Sequence, residues 1–352
     1  MIPSQIYMKW FPIPLPPPDS FKGQAAVVTG GTSGLGLAAA VHLVNLGADE
    51  VLITSRDSAR SKEALATLEK ETGGRSKDVV RIVELNMNRY DSVVALVEEV
   101  KKIRPGKGGV NFVLLNAGSL NIEYKAVDEG WEQDIQVNAL STTLLAILLL
   151  PWLKAERANR YSPAHISIVG SGSHMATDAQ TCDGYVAKDG GVLAHFRDPK
   201  NWPGPESMYG FSKMMVHYAA AELAKLAMGK DDRPEVIINT TCPGMVRTQL
   251  ARGFTESSRI LAIAVAIVLA IQGKTPENGA RTLLAAGLTK ESENGKFIQF
   301  YMTEAQYQKH LENLFTSERG SRIQASVWSE ITEELSAKVP AAHAALQELA
   351  KR

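Results

Sequence analysis

Seven short apolar runs, rich in β-branched residues, recur at Ala25–Thr29, Val51–Thr54, Val79–Leu85, Asn111–Leu115, His165–Val169, Val236–Thr241 and Lys296–Tyr301. They are nearly continuous in hydrophobicity, the mark of strands covered on both faces. Between them lie stretches in which apolar residues recur at the helical period. Such alternation predicts an α/β fold: a doubly wound, seven-stranded parallel sheet with helices on both faces and right-handed crossovers. A chain of 352 residues is long for one domain, but α/β sheets of ~250 residues run as single domains. Neither an internal repeat nor an interdomain linker is visible. The expected organisation is a Pro-rich arm over 1–20, one domain over 21–338 and a tail over 339–352.

The composition narrows the function. Lys plus Arg equals Asp plus Glu, 38 each, so no bulk charge favours nucleic acid or an anionic membrane. Two cysteines, Cys182 and Cys242, cannot build a disulfide framework. They fit a reducing compartment and hence the cytoplasm. CxxC and HExxH are absent and the seven histidines are scattered, so no metal site is expected. Met1 to Pro18 lacks an uninterrupted apolar core and a small-residue cleavage site, unlike a signal peptide. Its prolines favour an extended arm, laid on the protein surface or touching a membrane or partner.

Three helical stretches stand out. Ala139–Leu153 is apolar almost all round and should be buried against the sheet or a second subunit. Ser207–Met228 carries a tyrosine and a lysine four residues apart. Ile260–Ile271 is twelve unbroken apolar residues, part of an apolar helix expected over 259–272. It is too short to span a bilayer, which needs ~20 residues. A buried or capping helix, a lid over a substrate pocket and an interfacial membrane contact all fit it. In the C-terminal part, Ile323, Val327, Ile331 and Leu335 share one helix face, with Trp328 beside them. Beyond Lys338 the pattern weakens and fraying is expected.

Strand Ala25–Thr29 runs into Gly30, Gly31, Gly34 and Gly36 and then into an apolar helix, Leu35–Leu46. Such a turn lets backbone approach a pyrophosphate, while the helix N-terminus offers free N–H groups and a positive dipole end. This is a Rossmann-type arrangement. An NAD-preferring site usually ends its second strand on an acid. Here that strand ends Thr54-Ser55-Arg56, and a guanidinium suits a 2′-phosphate. NADP(H) is therefore the expected cofactor, although Asp57 next door could point inward.

Tyr209 and Lys213 share a helix face. An ammonium near a phenol is expected to lower the phenol's pKa from ~10 and suit it to proton exchange. Strand His165–Val169 ends Gly170-Ser171-Gly172-Ser173, at the edge where a parallel sheet gathers ligands. Ser171, with Ser173 in reserve, is placed to hold a carbonyl oxygen.

With these motifs on one chain, the sequence resembles the short-chain dehydrogenase/reductase family from about Phe21 to Tyr301. The residues that carry the resemblance are Thr29–Gly36, Asn116-Ala117-Gly118, Asn138, Ser171, Tyr209 with Lys213, and Pro243-Gly244 with Thr248. The resemblance implies Tyr209 as general acid/base, and Lys213 as its modulator and a ribose ligand. It implies Ser171 as carbonyl orienter and Asn138 as the holder of a relay water. For the dinucleotide it implies contacts from Gly30, Thr32, Ser33, Gly34, Leu35, Gly36, Arg56, Asn86, Met87, Asn116, Ala117, Gly118, Tyr209, Lys213, Pro243, Gly244, Val246 and Thr248. More narrowly, the chain resembles long fungal members that often serve secondary metabolism.

Two departures stand out. An acid usually follows the third strand in this family, and here Asn86 replaces it; its amide can still meet the adenine edge. Ser171 and Tyr209 are 38 positions apart, far more than in the shortest members. The insert over 175–205, with Tyr185, His195, Phe196 and Trp202, is expected to wall or cover a substrate pocket.

The expected reaction is NADPH-dependent reduction of a ketone or aldehyde on an apolar small molecule. Alcohol oxidation, a redox-neutral isomerisation using bound cofactor, and a non-catalytic dinucleotide binder are the alternatives. Ala139–Leu153 and Ser207–Met228 resemble the family's dimer-forming helices. A homodimer is expected unless the arm and tail cover them.

Overall fold

The computed structural model describes residues 4–248, 250 and 259–351, the side chains of 259–262, 264, 265 and 313 excepted. The first three residues of the expected arm and the last of the tail lie outside this range, as does part of the approach to the apolar helix.

Seven strands form one sheet: β1 (Ala25–Val28), β2 (Glu50–Ser55), β3 (Val80–Glu84), β4 (Phe112–Leu115), β5 (Ala164–Val169), β6 (Val236–Thr241) and β7 (Phe297–Ile298). All pairings are parallel and the order is β3-β2-β1-β4-β5-β6-β7. Successive strand side chains point to opposite faces, which divides the core in two. Ala25, Val27, Leu52, Val113 and Leu115 pack with Tyr90–Lys101, Thr142–Ala155 and Pro205–Leu226. Ala26, Val28, Val51, Ile53, Phe112 and Leu114 pack with Gly34–Asn45 and Pro276–Ala286. The strand order reverses between β1 and β4. A crevice at the carboxyl ends of the strands follows from that reversal.

β7 is shorter than its apolar run. Gln299 Oε1 accepts from the Tyr301 and Met302 N–H groups, both at 2.9 Å, so the backbone leaves the ladder there. The apolar helix expected at Ala139 starts earlier, as a π-helical turn over Ile135–Ser141 that continues into Thr142–Ala155. Ile135–Asn159 is apolar and long enough to cross a membrane, but 89% of its apolar window is buried inside the protein. It is a core helix rather than a span.

The C-terminal part packs more fully than its pattern suggested. Ile323, Val327, Ile331 and Leu335 of the helix Glu318–Lys338 are all fully buried. The fraying expected beyond Lys338 is corrected. Pro340 opens a second helix, Pro340–Leu349, at the position where its missing N–H costs nothing, and Ala342, Ala345 and Leu349 are buried. This helix packs on Thr142–Ala155, and Glu318–Lys338 packs on Pro205–Leu226. The faces expected to pair two copies are thus covered by the chain's own tail, and nothing here supports a dimer through them.

The insert is a layer clamped beneath that tail. Ala179, Cys182, Val192, Leu193 and Phe196 are buried. The Glu330 carboxylate accepts from the Val192 and Ala194 N–H groups at 3.0 and 2.8 Å. Arg322 pairs with Asp183 at 3.1 Å and Arg197 with Glu334 at 3.2 Å. The arm also departs from expectation. Gln5–Trp10 is a helix, capped by Ser4 Oγ accepting the Tyr7 N–H, and only the proline run after it is non-helical.

Ile331 has no exposed surface at the centre of this tail helix. Ile331→Ala should cost about 2–5 kcal/mol of stability, read as a lower midpoint in denaturant titration. A change under about 0.5 kcal/mol, the size expected at an exposed site, would show the tail is not part of the folding unit.

Candidate active site

The crevice is built where β1 and β4 end. Thr29 Oγ1 accepts from the Asn116 and Ala117 N–H groups, both at 2.9 Å. Asn116 Nδ2 donates back to the Thr29 carbonyl at 2.9 Å and the Gly30 carbonyl at 3.3 Å. Gly30 has φ +65°, and a Cβ at Gly36 would sit 2.3 Å from the Gly30 carbonyl oxygen. The turn therefore closes only with glycine at both positions. Ser33 precedes the helix Gly34–Asn45 with no side-chain cap, so the leading N–H groups are not used by it. Thr248 faces this turn from the loop after β6: a Cβ at Gly34 would lie 3.4 Å from its Cγ2. Val246 packs beside Leu35 against Gly279. An anion cradle with a threonine across from it is the result.

The second strand delivers Arg56 to the surface directly after Ser55. Asp57 does not point inward. It caps the helix Ser58–Glu71, its Oδ1 accepting from the Ala59 and Arg60 N–H groups at 2.7 and 3.4 Å. That commits the carboxylate to the helix N-terminus. After β3, Asn86 is half-buried and its Oδ1 accepts the Asn88 N–H at 3.1 Å, which leaves its NH2 for a ligand. Met87 is buried, its carbonyl accepting from Ser141 Oγ at 2.7 Å. Pro243 and Gly244 turn the chain out of β6, Gly244 with φ +74°. This set fits a dinucleotide: a glycine turn whose following helix has uncapped N–H groups, and a cation at the end of the second strand.

Tyr209, Lys213 and Ser171 come together beside it. Pro205–Leu226 carries the first two, and Lys213 Nζ lies 5.6 Å from the Tyr209 ring centroid. Nζ donates to the Val169 carbonyl at 2.8 Å, which ties the helix to the end of β5. Ser171 caps the turn Gly172–Ala176, and its Oγ lies 3.0 Å from Ser173 Oγ. Burial raises the Tyr209 phenol well above its ordinary value, opposed by hydrogen bonding to Ser171. The net direction is upward, set by burial, where the sequence led one to expect a lowering by Lys213. Burial lowers the Lys213 amine to about 8, opposed chiefly by the charge of Asp134. Desolvation penalises both charged forms here and outweighs their attraction.

Asn138 sits in the π-helical turn. Its Oδ1 accepts the Ser119 N–H at 3.0 Å, and its Nδ2 donates to the Ser119 carbonyl at 2.9 Å and Ser212 Oγ at 3.0 Å. The side chain binds the loop after β4 to the helix carrying Lys213. A Cβ at Gly118 would lie 3.1 Å from Asn138 Oδ1 and 3.7 Å from Lys213 Nζ.

Sequence reasoning missed a buried polar layer behind these groups. His174 Nδ1 lies 2.6 Å from the Ser171 carbonyl oxygen, which can only accept, so Nδ1 carries the proton. His174 stacks on His217 at 4.8 Å, and His217 Nδ1 meets Thr240 Oγ1 at 2.8 Å. Burial lowers His174 to about 4 and His217 well below its ordinary value, so both are neutral. His217 stands four and eight positions after Lys213 and Tyr209, a helical spacing that could have revealed it. Asp134, buried and held by Asn121 at 2.7 Å, carried no comparable signal. Among the described residues, no group of three His, Cys, Asp or Glu could hold a metal ion.

Comparisons with known proteins show the chain's family. Residues 24–177 match the family model described as short chain dehydrogenase. The short-chain dehydrogenase/reductase ffsI of Aspergillus flavipes is 32% identical over 93% of this chain and 90% of its own length. The short-chain dehydrogenase/reductase tropG of Talaromyces stipitatus is 31% identical over 92% of this chain and 94% of its own. Among solved structures, L-sorbose reductase of Gluconobacter frateurii, complexed with NADPH and L-sorbose, shares the fold. Its TM-score is 0.57 at 20% identity, over 81% of this chain and 98% of that one. With a seven-stranded parallel sheet of order β3-β2-β1-β4-β5-β6-β7 and these fungal relatives, the chain belongs to the short-chain dehydrogenase/reductase family, as an NAD(P)-binding oxidoreductase.

Proposed function

We propose that the protein reduces a ketone or aldehyde on an apolar small molecule, with NADPH as reductant and a fungal secondary metabolite as the substrate class. The single observation that carries this reading is the convergence of the Tyr209 phenol, Ser171 and Lys213 at the carboxyl end of β5, beside the glycine turn. A protonated phenol is ready to donate to a developing alkoxide; alcohol oxidation would need it ionised beforehand.

When bound, the dinucleotide supplies the hydride. The chain's residues do the rest. Gly30, Gly34 and Gly36 admit the phosphates, with Thr32, Ser33 and Leu35 completing the turn. Arg56 meets the 2′-phosphate, and Asn86 with Met87 bounds the adenine. Asn116, Ala117 and Gly118 wall the crevice opposite Pro243, Gly244, Val246 and Thr248. Lys213 holds ribose hydroxyls, its amine fixed by the Val169 carbonyl. Ser171 and Tyr209 hold the carbonyl oxygen, and the Tyr209 hydroxyl proton passes to it. Two preorganised donors meet the oxyanion as charge develops. Asn138 keeps the Ser119 loop and the Lys213 helix in register.

Tyr209→Phe should lower kcat for ketone reduction by about 10²–10⁴-fold, with NADPH affinity retained in fluorescence titration. Turnover like that of the unaltered enzyme would remove the acid role. Arg56→Ala should cut the NADPH-over-NADH ratio of kcat/KM by roughly 10–100-fold, the worth of a charge-assisted contact. An unchanged ratio would move the 2′-phosphate elsewhere.

The sign of the pH dependence follows from the raised Tyr209 pKa. The phenol stays protonated across neutral pH, so reduction keeps its acid. The reverse oxidation needs the phenolate and should rise about tenfold per pH unit between pH 7 and 9. Stopped-flow rates of the chemical step in both directions test this. A plateau of the oxidation rate below pH 8 would mean a lowered phenol pKa and a base rather than an acid at rest.

A further inference from the structure

The N-terminal helix Gln5–Trp10 grips the segment that leaves β6 and returns at Pro276–Ala286. Gln5 Oε1 accepts the Met245 N–H at 2.9 Å. A Cβ at Gly244 would sit 2.4 Å from that same oxygen, so Gln5 occupies the space this glycine leaves open. Lys9 Nζ donates to the Ala270 and Ile271 carbonyl groups, the last turn of the helix Arg259–Gln272. Arg247 adds a bond to the Leu269 carbonyl at 3.1 Å, so two cations meet the negative end of that helix. The Ile13 carbonyl accepts from Arg281 at 3.1 Å.

The gripped ends are also joined to each other. Lys274 N–H donates to the Met245 carbonyl and Arg247 N–H to the Lys274 carbonyl, both at 3.0 Å. Next to these closed ends stands Thr248, facing the glycine turn. Met8 is buried in a cluster with Cys242, Phe297, Tyr301 and Tyr307. The Tyr301 hydroxyl in turn lies 2.7 Å from where a Cβ at Gly172 would be, one residue past Ser171. The helix thus touches the loop after β6 directly and the serine loop through one packed layer.

We infer that this N-terminal helix is a positioning element of the active site, in which Gln5 and Lys9 set the loop carrying Gly244, Val246 and Thr248 and thereby how tightly the dinucleotide is held. The inference rests on the reading that this loop lines the cofactor site. Its energetic basis is local: Gln5 supplies the acceptor for a backbone N–H at the turn, and Lys9 neutralises carbonyl groups at the far end.

The test uses the full chain and NADPH itself, with Gln5→Met, which keeps volume but removes the acceptor, and Lys9→Met. The double variant should raise the NADPH Kd and KM about fivefold or more, the worth of a lost hydrogen bond. Its kcat at saturation should stay within about twofold and its Tm within a few degrees. That split separates positioning from a general loss of fold. Unchanged Kd and KM in a folded double variant overturn the inference. Thr248→Ala is the control on the underlying reading. Should it weaken NADPH binding while the double variant does not, only the arm's role fails. Should the unaltered protein bind neither NADPH nor NADH, the site reading fails and takes the inference with it.

Discussion

The four-membered link between Thr29 and the loop after β4 is the constraint on which the site depends. β1 and β4 lie side by side, but the helices that follow them leave to opposite faces of the sheet, so the two chain ends would part. Thr29 Oγ1 accepts two backbone N–H groups and Asn116 Nδ2 gives two bonds back. All of these groups are buried or half-buried, where an unmade hydrogen bond costs about 1–3 kcal/mol. The link therefore fixes the width of the crevice before any ligand arrives. Gly36 then packs against the Gly30 carbonyl with no room for a methyl group, which aims the helix N-terminus into the space so defined.

Electrostatics at Tyr209 and Lys213 follow from burial more than from pairing. A surface Tyr–Lys pair would share charge through water. Here Lys213 spends a donor on the Val169 carbonyl, and chiefly the Asp134 charge holds its amine up against desolvation. Burial likewise raises the Tyr209 phenol. The neutral pair His174 and His217 extends the pattern. It ties the Ser171 carbonyl to the helix of Tyr209 without bringing a charge into the layer.

Much of this was legible in the residues. Strand runs show as short, nearly continuous apolar stretches, and all seven were visible, although the edge strand β3 is only half-buried. The glycines and the Tyr–Lys spacing follow from local geometry, so a sequence displays them. What stayed hidden was set by side chains turning back on the main chain. Gln299 ends β7 by taking two N–H groups, and Asp57 is committed to capping a helix. Ser4 starts a helix in an arm whose prolines spoke for extension. The π-helical turn at Asn138 was also invisible. It depends on bonds such as Thr142 Oγ1 to the Val137 carbonyl at 2.8 Å, which no periodicity displays. Pro340–Leu349 escaped notice because alanines carry its buried face, a weak apolar signal.

The insert and the tail answer a single physical problem. A helix as apolar as Thr142–Ala155 must be covered, either by another copy or by more chain. This chain uses its own residues: Pro340–Leu349 lies on that helix and Glu318–Lys338 on the Tyr209 helix. Tyr218 donates to the Leu314 carbonyl at 2.6 Å from within the same layer. The insert then fills the flank of the tail helix, its N–H groups taken by the Glu330 carboxylate. Because that cover is covalently part of the chain, its effective concentration does not fall on dilution, as a partner's would. The long Ser171–Tyr209 separation is thus accounted for by packing. The extra residues hold the outer face of the helix whose inner face carries the phenol.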